Sequence, residues 1–360
     1  MALTDADIAR WRLATQRATT PHADGAAAVV GSLLAVQAEI PGQAAWAVAS
    51  RTSTPEASDL AALLDSGAVI RTHVLRPTWH FVLAEDLGWL LELTAPRVRK
   101  LTHGQIETAW GVDAETRRRA TEIILDALGR GEPTRARLAA LLVEAGVVLR
   151  GQALMLLMAN LELQMLVASG RPVAGEHTYA PYATRVGTRP SLDREEALAR
   201  LAWRYVAGHG PATERDLAYW ATLPVTEVRG GLRQVADRLE TFEHDGRTYW
   251  HLPGGPPTGA PPEPRGHLLQ ILDELYRGYQ DSRWVLDAAG MVPRGRETSA
   301  GMALVDGQLV AGMKRTVGPR AATFAILPHR PLSPAETEVL EQAAQRYAAF
   351  LGLPGRLVVH

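Results

Sequence analysis

The chain has 360 residues, 46% of them hydrophobic and 21% charged, with a formal net charge of −1; this is an ordinary globular composition with room for roughly two to four domains. Its complete lack of cysteine excludes disulfides, thiolate nucleophiles and Cys-ligated zinc or iron–sulfur sites. The near-neutral balance excludes a nucleic-acid footprint spread over the whole molecule, so any DNA contact has to come from local patches.

The opening Met1-Ala2-Leu3-Thr4-Asp5-Ala6-Asp7 is acidic and has no basic segment followed by an apolar one, unlike a secretory signal. No apolar run approaches the ~20 residues of a membrane span, and a cytoplasmic protein is the expectation. Residues 3–18 predict a first helix with Thr4 as N-cap and Ile8, Trp11 and Leu13 on its apolar side. The next stretch, Val29 to Pro41, carries apolar residues at 26, 30, 33 and 34, the spacing of a helix with one buried face. Gln37 falls where that stripe asks for another aliphatic residue, Glu39 follows two residues on, and Pro41 ends the helix there. An amide and a carboxylate at the end of a greasy helix either meet buried partners or face a cleft, because burying them unpaired costs roughly 1–3 kcal/mol or more.

Helical spacing resumes over 44–50 and 55–66, closed by Gly67. Residues 68–75 and 78–83 are rich in β-branched and aromatic side chains and flank Arg76-Pro77, predicting two short strands. On the second, Thr78 and His80 share one face and Trp79 takes the other. Helices follow over 85–94 and 96–107. Several helices and then a two-stranded ribbon is the ground plan of a winged helix.

Two later segments repeat one another. Gly131-Glu132-Pro133-Thr134 aligns with Gly210-Pro211-Ala212-Thr213. Each follows a long helix (114–129 and 193–208), supplies a Thr N-cap, leads to another helix (151–163 and 224–238), and ends in strand-like residues around a turn. Asp245-Gly246 makes the second turn a hairpin signal. Residues 253–266 form a Pro/Gly-rich linker. Beyond it the pattern predicts a helix near 267–279, a hairpin over 302–311 turning at Asp306-Gly307, a strand at 322–327, an amphipathic helix at 334–351 and a last strand at 356–359. The whole reads as α+β and predominantly helical: three tandem winged-helix units, at 1–110, 111–190 and 191–255, and a C-terminal β-containing module at 256–360.

Walker loops, strand–GxGxxG–helix units, GxSxG elbows and HExxH motifs are all missing from the sequence. His73 and His80 sit seven apart on expected strands and no carboxylate cluster joins them, which favours packing or hydrogen bonding over metal ligation. Arg97, Arg99 and Lys100, then Arg117, Arg118 and Arg119, make local basic runs; residues 94–150 hold ten Lys/Arg against seven Asp/Glu, a net +3. A solvated helix face explains such runs as simply as a DNA contact does.

Leu34-Ala35-Val36-Gln37-Ala38-Glu39, followed by Arg71 to Val82 with its Arg76-Pro77-Thr78-Trp79-His80 centre, resembles the winged-helix DNA glycosylases of the AlkZ/YcaQ crosslink-repair family. Leu268 to Glu274, Gly278-Tyr279, Val285-Leu286-Asp287, Leu304-Val305-Asp306-Gly307 and Arg346 to Leu351 match the family as well, in order along essentially the whole chain. The resemblance implies winged helices curved around double-stranded DNA, and hydrolytic removal of alkylated purines, notably N7-alkylguanine, in some members from interstrand crosslinks. Some relatives protect antibiotic producers from their own DNA-alkylating products. The expectations are no cofactor, no metal and no membrane association, and a monomer, since a tandem array can surround a duplex as one. The family's catalytic element is Gln–any–Gln or Gln–any–Asp. Gln37 takes its first place and Glu39 stands at the second, where the carboxylate either serves as the Asp would or leaves a catalytically silent protein that only binds DNA, a regulator or lesion sensor. Arg76, Thr78, His80, Arg97 and Lys100 are the candidate DNA-side residues, Arg76 toward phosphate and Thr78 and His80 as hydrogen-bonding groups within the site.

Overall fold

The computed structural model describes residues 3–149, 151–187, 191–258, 262–292 and 301–360, with the side chains of all but 101–105. The Gly259-Ala260-Pro261 part of the expected linker lies outside the described residues. The architecture is α+β. Helix α1 (Asp5–Thr15) opens with Thr4 in a reciprocal capping box with Asp7. Helix α2 (Ala26–Leu33) stops at Leu34, whose backbone is left-handed at φ 63°.

The organising helix therefore ends several residues before Pro41, and the expectation that Gln37 and Glu39 sit on its last turn is corrected. Val36–Gln37 forms a short strand, β1, followed by α3 (Pro41–Ala49), with Pro41 in its first turn, and α4 (Ala57–Ser66). Strands β2 (Val69–His73) and β3 (Trp79–Leu83) then complete a sheet of order β1-β3-β2. Val36 pairs with Phe81 and Gln37 with His80. As neighbours on a strand, Val36 and Gln37 turn to opposite faces.

The two helices expected over 85–107 are one, α5 (Ala84–Trp110), which runs through Pro96. Helices α6 (Ala114–Leu128), α7 (Arg135–Glu144) and α8 (Ala153–Leu163) precede the strand pair β4 (Val167–Ser169) and β5 (Tyr179–Pro181). After the short α9 (Tyr182–Arg185) the same succession returns: α10 (Arg194–His209), α11 (Glu214–Ala221), α12 (Val225–Gln234), then β6 (Glu240–His244) and β7 (Arg247–His251). Thr134 and Thr213 cap α7 and α11 as their sequence positions suggest. Asp245 and Gly246 both take positive φ in the β6–β7 turn, as a two-residue hairpin requires.

The expected helix over 267–279 is a strand, β8 (Gly266–Leu269), and a single helical turn, α13 (Glu274–Arg277). Leu268 and Leu269 enter two different apolar clusters, the alternation of a strand buried on both faces. Gly266 also lies against the Val339 carbonyl, where any Cβ would come within 2.4 Å. Strands β9 (Gly301–Val305), β10 (Gln308–Val317) and β11 (Ala322–Pro328), helix α14 (Pro334–Phe350) and strand β12 (Gly355–Val359) finish the chain. The five strands form one sheet of order β12-β11-β10-β9-β8, with only β11 and β12 parallel.

Buried polar contacts fix these parts to one another. Arg51, just after α3, makes a 2.7 Å ion pair with Asp273 while also donating to Gln16. Arg204 on α10 donates to Asp86 on α5 and to the Gly31 carbonyl on α2. At Gly208 the backbone of α10 approaches Ser32 so closely that an added Cβ would stand 2.2 Å from its carbonyl. The Asp273–Arg277 turn is joined to the first sheet through Gln37 and to α11 through Trp220, both of which donate to Glu274. No helix among the described residues is long and apolar enough to cross a membrane.

Candidate active site

A cavity of about 660 Å³ opens between three separate stretches of chain. Gln37, Glu39, Arg76, Pro77, Thr78 and Arg97 form one wall, the end of α11 with Tyr219 and Leu223 a second, and Leu272 and Arg277 a third. The two residues that interrupt the apolar stripe therefore face one cavity. Of the other expected residues, Arg76, Thr78 and Arg97 line it, His80 lies buried behind Arg76, and Lys100 is exposed farther along α5 outside the cavity wall.

Gln37 is 4% exposed and held at both ends. Its backbone N–H donates to Glu274 Oε1 at 2.9 Å, and its side-chain Oε1 accepts from Arg76 at 2.9 Å. An arginine can only donate, so this contact fixes the amide orientation: oxygen toward Arg76, NH2 group free for other acceptors. Glu39 is exposed, and its Oε2 accepts the Trp79 backbone N–H at 3.1 Å. Arg71 steadies the segment between them by donating to the Ala38 and Glu39 carbonyls from its seat 4.1 Å over the Trp79 ring.

Arg76 is buried, donates to the Trp220 carbonyl and reaches His80 Nε2 at 3.4 Å. Burial lowers its pKa, and the nearby Glu274 carboxylate opposes that shift. His80 is wholly buried; desolvation and the Arg76 charge push its pKa down to about 3. It is therefore neutral, its Nδ1–H donating to the Thr78 carbonyl at 2.9 Å and its Nε2 left to accept from Arg76. Thr78 Oγ1 is buried beside the cavity without a hydrogen-bond partner among the described residues.

Glu274 is the central group that sequence reasoning missed. Burial disfavours its charge, yet the His209 hydrogen bond and the charges of Arg76 and His209 bring its pKa to about 2. It accepts from the Gln37 backbone and from Trp220 Nε1 at 3.0 Å. Tyr219 and Arg277 were missed too. Burial alone would raise the Tyr219 pKa, but Arg76 and Arg283 hold it below the usual phenol value. The signal for Glu274 was present in the Leu268–Glu274 resemblance; nothing local marked Tyr219.

His73 is held by a hydrogen bond to a single carboxylate and not by a cluster: Glu162 from α8 meets its Nδ1 at 2.6 Å. Among the described residues no group of three or more His, Asp or Glu is arranged to hold a metal ion.

Neutral buried histidines set a pH dependence. His80, His177 and His267 are all lowered to about 3, in each case chiefly by burial. Below the ordinary 6.5 the unfolded chain takes up protons that the folded chain does not, so stability falls as pH drops from 6.5 toward 3, by roughly 1.4 kcal/mol per pH unit for each histidine once well inside that window. Denaturant midpoints at pH 7 and pH 5 should show a larger loss for the wild type than for His267→Gln. Equal losses would mean that His267 charges freely in the fold.

Residues 30–350 match the family model described as DNA glycosylase AlkZ-like. The solved structure of the Streptomyces sahachiroi DNA glycosylase AlkZ is similar, with a TM-score of 0.77 and 20% sequence identity over 100% of both chains. At that identity the likeness speaks for the fold. No curated protein sequence matches the chain.

Proposed function

The chain belongs to the AlkZ-like family of DNA glycosylases, enzymes that hydrolyse N-glycosyl bonds in DNA repair, and from that premise we propose that it removes alkylated guanine, reacting in the cavity around Gln37 and Glu39. Family membership sets aside the alternative of a DNA-binding protein without catalysis. The observation that carries the site assignment is that Gln37, fixed by Arg76, and Glu39, fixed by Trp79, line one arginine-edged cavity.

The chemistry suits so sparse a site. An N7-alkylguanine is already cationic and leaves without a strong general acid. What remains is to hold a water near the anomeric carbon and to stabilise an oxocarbenium-like transition state. The Gln37 amide, its oxygen taken by Arg76, offers its NH2 group to the water oxygen. Glu39 accepts a water proton and places negative charge near the sugar. Arg97, Arg277 and Arg76 supply positive charge for the phosphates on either side. No metal or cofactor is needed for these steps.

In this reading the 1–110, 111–190 and 191–255 stretches are three winged helices and 256–360 a C-terminal module, together embracing the duplex as a monomer at the nucleoid. Interstrand crosslinks through guanine N7 and the products of a self-made alkylating agent are natural extensions of the substrate. The direct test is release of free base from duplex DNA carrying N7-methylguanine, at saturating enzyme in a single turnover. Release from that duplex and not from undamaged DNA is expected. No release from this or bulkier N7 adducts would remove alkylguanine as the substrate.

Arg97 gives a separate check on the DNA side. It stands exposed at the cavity wall, so as a phosphate contact Arg97→Ala should weaken binding about equally across sequences and lower the slope of log affinity against log salt by about one. Lys100→Ala, outside the wall, should change the slope less. An unchanged slope for Arg97→Ala would take Arg97 out of the DNA path.

A further inference from the structure

A second cavity of about 520 Å³ shares a chain segment with the first: Ile271 lines the second and its neighbour Leu272 the first. Gln43, Gln270, Lys314, Arg315 and Tyr347 supply the polar part of its wall, and Met313 and Leu327 an apolar part. Gln270 is 3% exposed, yet among the described residues neither its amide oxygen nor its amide nitrogen has a hydrogen-bond partner. A buried amide with both ends unmade is a standing cost to the fold, and methionine would fill similar space without it. Lys314 is exposed, Arg315 lies over the Tyr347 ring at 5.1 Å and donates to its hydroxyl, and no carboxylate among the described residues lines the cavity.

We propose that this cavity is a nucleotide-binding subsite, in which a base edge pairs with the Gln270 amide and the attached phosphate meets Lys314 and Arg315. The two halves of the wall require such a ligand together. A free anion would use the cations and leave the amide unpaired, and an uncharged ligand would do the reverse. A base edge carries adjacent donors and acceptors that an amide matches in two hydrogen bonds, and the phosphate takes the guanidinium and ammonium. Gln270 reaches the ligand by a rotamer change of its flexible side chain. The nucleotide belongs either to the DNA strand running from the neighbouring cavity or to the free pool.

The experiment reads affinity and does not depend on excision, so it stands whether or not alkylguanine is the substrate. An undamaged duplex is prepared as a series in which an abasic tetrahydrofuran residue replaces each nucleotide in turn, and binding to wild type, Gln270→Met and Lys314→Ala is measured by fluorescence anisotropy. At one position the wild type should lose about 5-fold or more in affinity, and this penalty should vanish in Gln270→Met; Lys314→Ala should lower the salt slope by about one. Gln270→Met should melt at or above the wild-type temperature, which confirms that it folds. A flat abasic series together with thermal stabilisation of wild type, but not of Gln270→Met, by millimolar AMP or CMP would assign the subsite to free nucleotides. A flat series with no Gln270-dependent stabilisation by any mononucleotide overturns the proposal.

Discussion

Replacing Glu39 by glutamine is expected to slow single-turnover release of N7-alkylguanine by roughly 10²–10⁴-fold while leaving the fold intact. Glutamine keeps an acceptor of the same reach, so the Trp79 backbone N–H that holds Glu39 Oε2 at 3.1 Å retains its partner. What disappears is the charge and the basicity. A neutral amide can still orient a water, but it neither takes a proton from it nor stabilises a sugar cation forming nearby, and both effects grow once DNA displaces solvent from the cavity. DNA affinity has to be measured alongside, because removing a carboxylate among Arg76, Arg97 and Arg277 should tighten binding and could disguise a chemical defect. Undiminished rates in Glu39→Gln would show that this residue acts by hydrogen bonding alone.

Much of the chain's local structure was legible in the sequence because local physics specifies it. Thr4, Thr134 and Thr213 cap their helices, and Asp245-Gly246 and Asp306-Gly307 turn their hairpins, through interactions that span only a few residues. Two of the departures share a cause. The apolar spacing over 26–34 continues on a helical stripe to Gln37, and the pattern over 267–279 suits a helix, but in each case strand pairing with a distant partner decides the conformation: Gln37 with His80, and Leu268 with Ala303. Neither partner is visible in a local window. The candidate site divides the same way. Gln37, Glu39, Arg76, Thr78 and Arg97 lie in the first hundred residues and were found. Glu274 supports Gln37 from 237 residues away, and Tyr219 comes from a third stretch. Only the fold brings these to the same cavity.

Glu274→Ala is expected to cost roughly 3–5 kcal/mol of stability, the usual consequence of removing one partner from a buried charged network. The carboxylate is 1% exposed and its oxygens accept from the Gln37 backbone, Trp220 Nε1 and, at 3.4 Å, His209 Nε2. Alanine leaves these donors buried without an acceptor and strips Arg76 of its nearest compensating carboxylate. Excision should fall with stability, because the Gln37 backbone loses the anchor that sets its strand against the cavity. Glu274→Gln separates shape from charge: it keeps one acceptor, so it should be less destabilised, yet it turns an NH2 group toward other donors. The pH profile distinguishes a charged anchor from mere packing. The folded carboxyl has a pKa of about 2 against the ordinary 4.5, so below 4.5 the unfolded chain binds a proton that the folded chain refuses. Its contribution is complete above 4.5 and is lost as pH falls through about 2. The stability gap between wild type and Glu274→Gln, read from urea midpoints, should thus be constant from pH 7 to 5 and begin to narrow below 4.5. A loss under 1 kcal/mol for Glu274→Ala at neutral pH would show that Gln37 is held by other means.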